Sequence, residues 1–119
     1  MKRLSILGST GSIGTQALET CEKNGWEITA LAAGRNVRLA EAQARRFKPQ
    51  FVAMFDKDAA AELKIKLADT DIKVCSGEAG VIAAAESDCD TVLNSIVGIA
   101  GLKPTLAAIN KGTTVALAN

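Results

Sequence analysis

The sequence predicts an α/β protein: a doubly wound parallel sheet of about six strands with helices on both faces. Three observations carry that prediction. Short apolar runs alternate with amphipathic stretches from end to end, and one such run stands at the N-terminus. That run leads directly into evenly spaced glycines at Gly8, Gly11 and Gly14. The 119 residues read as one domain, 1–119, able to bury roughly two-thirds of the surface of the unfolded chain. No repeat, linker or low-complexity segment divides them.

Each element has a local cause. After the first strand, a helix over residues 12–24 places Ile13, Ala17, Leu18 and Cys21 on one face. Gln16, Glu19 and Lys23 point to solvent, and Gly25 supplies the left-handed residue that ends such a helix. Residues 26–33 form a second strand. Asn36 then caps a helix built on Val37, Ala40, Ala44 and Phe47, which Pro49 stops. A third strand covers 51–55, and Asp58 caps a helix reaching to about Leu67. A fourth strand at 72–75 precedes a short helix around Val81 and Ile82, and a fifth runs from 91 to 96. Pro104 suits the first turn of a helix ending near Asn110, Gly112 closes it, and residues 113–118 make the sixth strand. Trp26 and the three phenylalanines fall in strands or on an inward helix face and are expected in the core.

The glycine spacing points to a bound nucleotide. In Rossmann-like folds the turn from the first strand to the first helix holds a pyrophosphate against the N–H groups and positive dipole of that helix. Gly8 permits the sharp turn, Gly11 lets the backbone approach phosphate, and Gly14 allows the helix to pack against the sheet. Ser9, Thr10 and Ser12 have no neighbouring base and suit hydroxyl donors better than nucleophiles. The plainer alternative is a tight turn that merely uses glycine.

The end of the second strand selects the dinucleotide. An acid there would bond the ribose 2′-hydroxyl of NAD and repel a 2′-phosphate. The chain instead reads Ala33-Gly34-Arg35-Asn36, a cation and an amide beside a residue that leaves room. Arg35 offers paired donors to phosphate, so NADP is favoured over NAD. The competing view makes Arg35 a solvated turn residue and Asn36 an ordinary cap.

Composition excludes other classes. Fourteen basic residues face 13 acidic ones with no basic block beyond Arg45-Arg46, so no nucleic-acid footprint stands out. The apolar run after Lys2-Arg3 is too short for an export signal, and nothing approaches membrane length. Cys21, Cys75 and Cys89 lack metal or redox spacing and read as small buried thiols in a reducing cytoplasm. There is no histidine, which removes the commonest general base and metal ligand. Asp88 and Asp90 around Cys89 suit a turn better than a metal site, and Asp56 and Asp58 suit a helix start better than catalysis.

Four segments together resemble one family more closely than a generic nucleotide fold. They are Leu7 to Gln16 (LGSTGSIGTQ), Ala33 to Val37 (AGRNV), Ile96 to Thr105 (IVGIAGLKPT) and the final Ala116 to Asn119 (ALAN). Their order and content resemble 1-deoxy-D-xylulose 5-phosphate reductoisomerase across essentially the whole chain. That family uses NADPH and a divalent metal (magnesium or manganese) to convert a ketose phosphate to 2-C-methyl-D-erythritol 4-phosphate in non-mevalonate isoprenoid synthesis. The resemblance implies that Gly8, Thr10, Gly11, Ser12 and Ile13 hold the pyrophosphate and its adjoining sugar. It implies that Gly34, Arg35 and Asn36 take the 2′-phosphate, where the family often has lysine at position 35. Asn94, Ser95 and Ile96 would lie along the nicotinamide half, and Asn119 would open the family's Asn-Lys-Glu segment.

The resemblance further implies a cytoplasmic homodimer acting on a sugar phosphate. The acidic metal cluster, the substrate flap and the Lys-Glu pair would then lie beyond this chain, which is expected to hold NADPH without turning over substrate. Two other functions fit the residues: the NADP domain of a different two-domain oxidoreductase, or a non-enzymatic nucleotide-sensing module. The sixth strand is expected to present an edge that self-associates. Light scattering of the 119-residue chain should show apparent mass rising with concentration; a clean monomer throughout would refute this.

Overall fold

The computed structural model describes residues 2–118, in which six parallel strands alternate with five α-helices. The elements are β1 (Arg3–Leu7), α1 (Ser12–Asn24), β2 (Glu27–Ala33), α2 (Val37–Phe47), β3 (Phe51–Met54) and α3 (Lys57–Lys66). They continue with β4 (Lys73–Ser76), α4 (Gly77–Ala85), β5 (Thr91–Asn94), a 3-10 turn (Ile99–Gly101), α5 (Leu102–Lys111) and β6 (Thr114–Leu117). The sheet order is β4-β3-β2-β1-β5-β6. The chain therefore winds outward from β1 to β4 and then returns to the far side of β1 for β5 and β6. Winding reverses between β1 and β5, and the crevice at their C-terminal ends is where such a sheet receives a ligand.

Side chains alternate along each strand, and this sorts the apolar residues into two cores. Ile6, Leu31, Val52 and Met54 pack with Leu18, Cys21, Ala40 and Leu63 of α1, α2 and α3. On the other face Leu7, Ala30, Ala32, Ala53 and Val92 meet Val81, Ala84 and Ala85 of α4 and Ala108 of α5. The second face is lined mostly by alanine because α4 lies across β1, β2, β3 and β4 at close range. A Cβ on Gly80 would come within 3.0 Å of the Cys75 Cβ and 3.4 Å of the Ala53 Cβ. Ser5 Oγ donates to the Ala84 carbonyl at 2.7 Å, so this buried hydroxyl ties α4 to the central strand. A bulge between Leu4 and Ser5 moves the register from Ile28 to Ala30. The extra residue, Thr29, bonds the Leu4 carbonyl and the Ser87 hydroxyl, both at 3.3 Å.

The parallel doubly wound class and the six strands agree with the sequence-based expectation, and several boundaries move. Asp56, not Asp58, caps α3, because its carboxylate accepts from the Ala59 N–H at 2.9 Å. β2 begins at Glu27 and leaves Trp26 half-buried outside the strand, with the Lys2 ammonium 4.9 Å from its ring. β3 ends at Met54, and Phe55 is 56% exposed, which overturns its placement in the core. Cys75 and Cys89 are only half-buried, whereas Cys21 is fully enclosed and burial pushes its thiol pKa up. Asn36 does cap α2, accepting from the Leu39 N–H at 3.1 Å. No helix among the described residues is long and apolar enough to cross a membrane.

Gly80 supplies a test of the close α4 contact. Gly80→Val should destabilise the fold by about 1–3 kcal/mol and lower its Tm by roughly 5–15 °C. Calorimetry showing an unchanged Tm would mean that α4 has room to spare.

Candidate functional site

The loop after β1 is built by hydrogen bonds onto one carbonyl. The N–H groups of Gly8 and Ser9 both donate to Ala32 O at the end of β2, at 2.8 and 3.0 Å. Gly8 has φ +83°, and its N–H bond to β2 holds the chain as it leaves the sheet. Gly11 N–H then donates to Gly8 O at 3.2 Å, and Thr15 N–H donates to Gly11 O at 2.9 Å as the first bond of α1. No acceptor among the described residues takes the N–H groups of Thr10, Ser12, Ile13 or Gly14. The first turn of α1 carries no acid, and Gly11, Ser12 and Ile13 are exposed. This end of α1 therefore offers free donors and uncompensated positive dipole, the requirements for an anion.

The three glycines are needed for different reasons. A Cβ on Gly8 would lie 2.5 Å from Ser95 Oγ. A Cβ on Gly14 would overlap the Gly8 carbonyl oxygen and come within 2.8 Å of Ser9 Cα. Gly14 thus packs against the loop itself rather than against the body of the sheet. Gly11 is different. Its φ is −78°, open to any residue, and its Cβ would meet only Gly8 O, at an ordinary 3.5 Å. The fold does not demand glycine there; only something approaching from outside would.

The end of β5 reinforces the loop. Ser95 Oγ donates to Leu7 O at 2.8 Å and lies 3.2 Å from Gly8 O. The Asn94 side chain is buried and fully committed: it donates to Gly101 O at 3.0 Å and Thr105 Oγ1 at 2.7 Å, and accepts from Ile96 N–H at 3.0 Å. Both side chains therefore organise backbone, and Ile96 faces a cavity. That cavity, about 210 Å³, runs along the C-terminal edge past Gly8, Ala33, Gly34, Phe55, Ile96 and Pro104. Asn119 lies outside the described residues.

At the end of β2, Gly34, Arg35 and Asn36 are exposed, and a Cβ on Gly34 would meet nothing within 4 Å. Arg3, Arg45 and Arg46 each reach a carboxylate: Arg3 to Glu27 at 2.7 Å, Arg45 to Asp69 at 2.8 Å, and Arg46 to Glu22. Arg35 has no such partner among the described residues. It borders a shallow hollow with Gly34, Phe55 and Asp56.

Sequence reasoning passed over three residues here. Phe55 sits one residue past β3 and walls both hollows; an aromatic at the strand end level with Gly34 was the available signal. Arg38, exposed in the first turn of α2, adds a second guanidinium without a carboxylate partner among the described residues. Gln43 is buried on the inner stripe of α2 and donates to Ser9 O at 2.9 Å. A polar residue beside the apolar Ala40 and Ala44 was its signal. Among the described residues no three acidic, thiol or imidazole side chains gather as a divalent metal site would require.

Comparison with known proteins agrees with this geometry. A family model described as 1-deoxy-D-xylulose 5-phosphate reductoisomerase matches residues 4–119. The curated enzyme of that name from Agathobacter rectalis is 52% identical over 121 residues, which cover 100% of this chain and 32% of the relative. The chloroplastic one from Oryza sativa subsp. japonica is 50% identical over 123 residues, covering 99% and 26%. The solved reductoisomerase from Zymomonas mobilis in complex with NADPH superposes with a TM-score of 0.93 at 38% identity, covering 99% of this chain and 32% of that one. A DOX-P reductoisomerase in complex with NADPH, fosmidomycin and magnesium gives 0.93 at 38%, covering 100% and 30%. The chain spans about a third of the length of the curated relatives it matches.

Gly11→Val separates packing from ligand approach. The far-ultraviolet circular dichroism and Tm should stay close to those of the parent, while binding of a dinucleotide falls below detection by calorimetry. Retained binding would place the phosphate elsewhere.

Proposed function

We propose that this chain, which belongs to the 1-deoxy-D-xylulose 5-phosphate reductoisomerase family, binds and orients NADPH. The enzyme it serves would convert 1-deoxy-D-xylulose 5-phosphate to 2-C-methyl-D-erythritol 4-phosphate in non-mevalonate isoprenoid synthesis. The observation that carries the proposal is Gly11, a residue whose missing side chain the fold does not require. Beside it stand four backbone N–H groups without acceptors among the described residues. A pyrophosphate supplies the anion and the close approach that both features lack.

The 2′-phosphate would sit at the first turn of α2, between Arg35 and the cap residue Asn36, with Arg38 near. No acid occupies that turn, and Asp56 in the adjoining hollow has its carboxylate turned to the Ala59 N–H. Phe55 offers a flat apolar face to the base. The nicotinamide half would follow the edge past Ile96 into the apolar cavity, where exclusion of water suits a hydride donor. Solved relatives held with NADPH, and others with magnesium, support the pairing of this reductant with a metal. NADPH supplies the hydride when bound; this chain's residues hold its phosphates and direct its ring. The metal and the sugar phosphate would be handled by groups outside the described residues. In this reading the enzyme is cytoplasmic and homodimeric.

Titration calorimetry tests the 2′-phosphate assignment. NADPH should bind at least tenfold more tightly than NADH, and Arg35→Ala should weaken NADPH by roughly tenfold or more while leaving NADH within about twofold. Equal affinities of the parent chain for the two nucleotides would sink it.

A further inference from the structure

We propose that Gln43 is a positioning residue for the dinucleotide: its amide pins the Ser9–Thr10 peptide so that the Thr10 N–H faces the pyrophosphate. The proposal rests on the NADPH reading above and adds a residue on a different element. Gln43 is 6% exposed, on the stripe of α2 that buries Val37, Ala40 and Ala44. Its Nε2 donates to Ser9 O at 2.9 Å. Its Oε1 has no partner among the described residues, and neither has the buried Ser9 Oγ.

An amide is a poor choice for that position on packing grounds alone. A buried carbonyl without a donor costs stability, and an apolar side chain of the same volume would fill the space without that cost. The donor is therefore the part of Gln43 with a use, and its only acceptor among the described residues is the phosphate loop. Ser9 is held at both ends: its N–H bonds Ala32 O at 3.0 Å, and its carbonyl also accepts from Thr15 Oγ1 at 3.4 Å.

The consequence follows from peptide geometry. A trans peptide is planar, and its C=O and N–H point in opposite directions. Drawing Ser9 O inward to Gln43 turns the Thr10 N–H outward, and that N–H has no acceptor among the described residues. Without the amide, the Ser9 carbonyl keeps only the long 3.4 Å bond from Thr15 Oγ1, and the Thr10 donor is held less firmly in the orientation a phosphate needs. Because Asn36 caps α2 and Arg35 directly precedes it, this one helix bears on both the 2′-phosphate and the pyrophosphate.

The test uses Gln43→Leu and Gln43→Met in the full chain, with NADPH and NADH as probes in calorimetry and a thermal melt without nucleotide. Both variants should melt at or above the parent Tm, since the orphaned carbonyl is gone. Both nucleotides should weaken by the same factor, about five- to tenfold, leaving the preference for NADPH intact. Unchanged affinities would overturn the proposal, as would a loss confined to NADPH, which would place the effect at Arg35 and Asn36. Failure of both variants to fold would overturn it too, because the amide would then serve the core. If the parent chain itself bound neither nucleotide, the NADPH reading would fall instead.

Discussion

Four elements meet at the peptide of Gly8, and the rest of the molecule is arranged around that meeting. Its N–H reaches the end of β2, the Ser95 hydroxyl just past β5 closes on it from one side, and Gly14 brings α1 onto its carbonyl from another. The contact depends on glycine at both positions: a Cβ on Gly14 would collide with backbone that cannot withdraw, and one on Gly8 would displace the Ser95 hydroxyl and strain a φ of +83°. Once the strands and helix are this close, the start of α1 is held with its N–H groups unspent and facing outward. The anion site is thus a by-product of dense packing, and it costs no separate ordering of a mobile loop.

The same economy of volume shapes the opposite face. Alanines at positions 30, 32 and 53, with Gly80 on the helix, let α4 lie across four strands, and α4 carries the chain back toward the far side of β1. That crossing creates the reversal between β1 and β5, and with it the edge cavity lined by Gly8, Ile96 and Pro104. The edge cavity and the alanine-rich composition of this face are therefore linked: bulkier residues here would lift α4 and open the cavity wall.

Much of the fold was legible locally. The glycine loop, the Asn36 cap and the alternation of strand and helix rest on short-range chemistry and stand where expected. Errors fell where two local solutions were equally good. Asp56 and Asp58 can each cap a helix, and the choice went to Asp56, whose N–H also extends the β2–β3 pairing to Gly34 O at 3.1 Å. Phe55 looked like strand core because it continues an apolar run, yet the strand ends one residue earlier and its ring is left at the rim. The commitment of the Asn94 amide to Gly101 O, Thr105 Oγ1 and the Ile96 N–H was not legible either, since it needs the 3-10 turn and α5 to fold back on β5.

By itself the sequence determined the elements, the class of sheet, the loop able to take an anion and the cation standing where an acid would select NAD. Those features depend on residues within a few positions of each other, where backbone sterics and hydrogen-bonding capacity act directly. Tertiary structure alone decided which side of β1 receives β5, which glycines the packing requires and which it leaves free, and that Gln43 reaches Ser9 from 34 positions away. Such contacts are set by how two faces of a sheet are filled, and volume is shared among residues that no local pattern brings together.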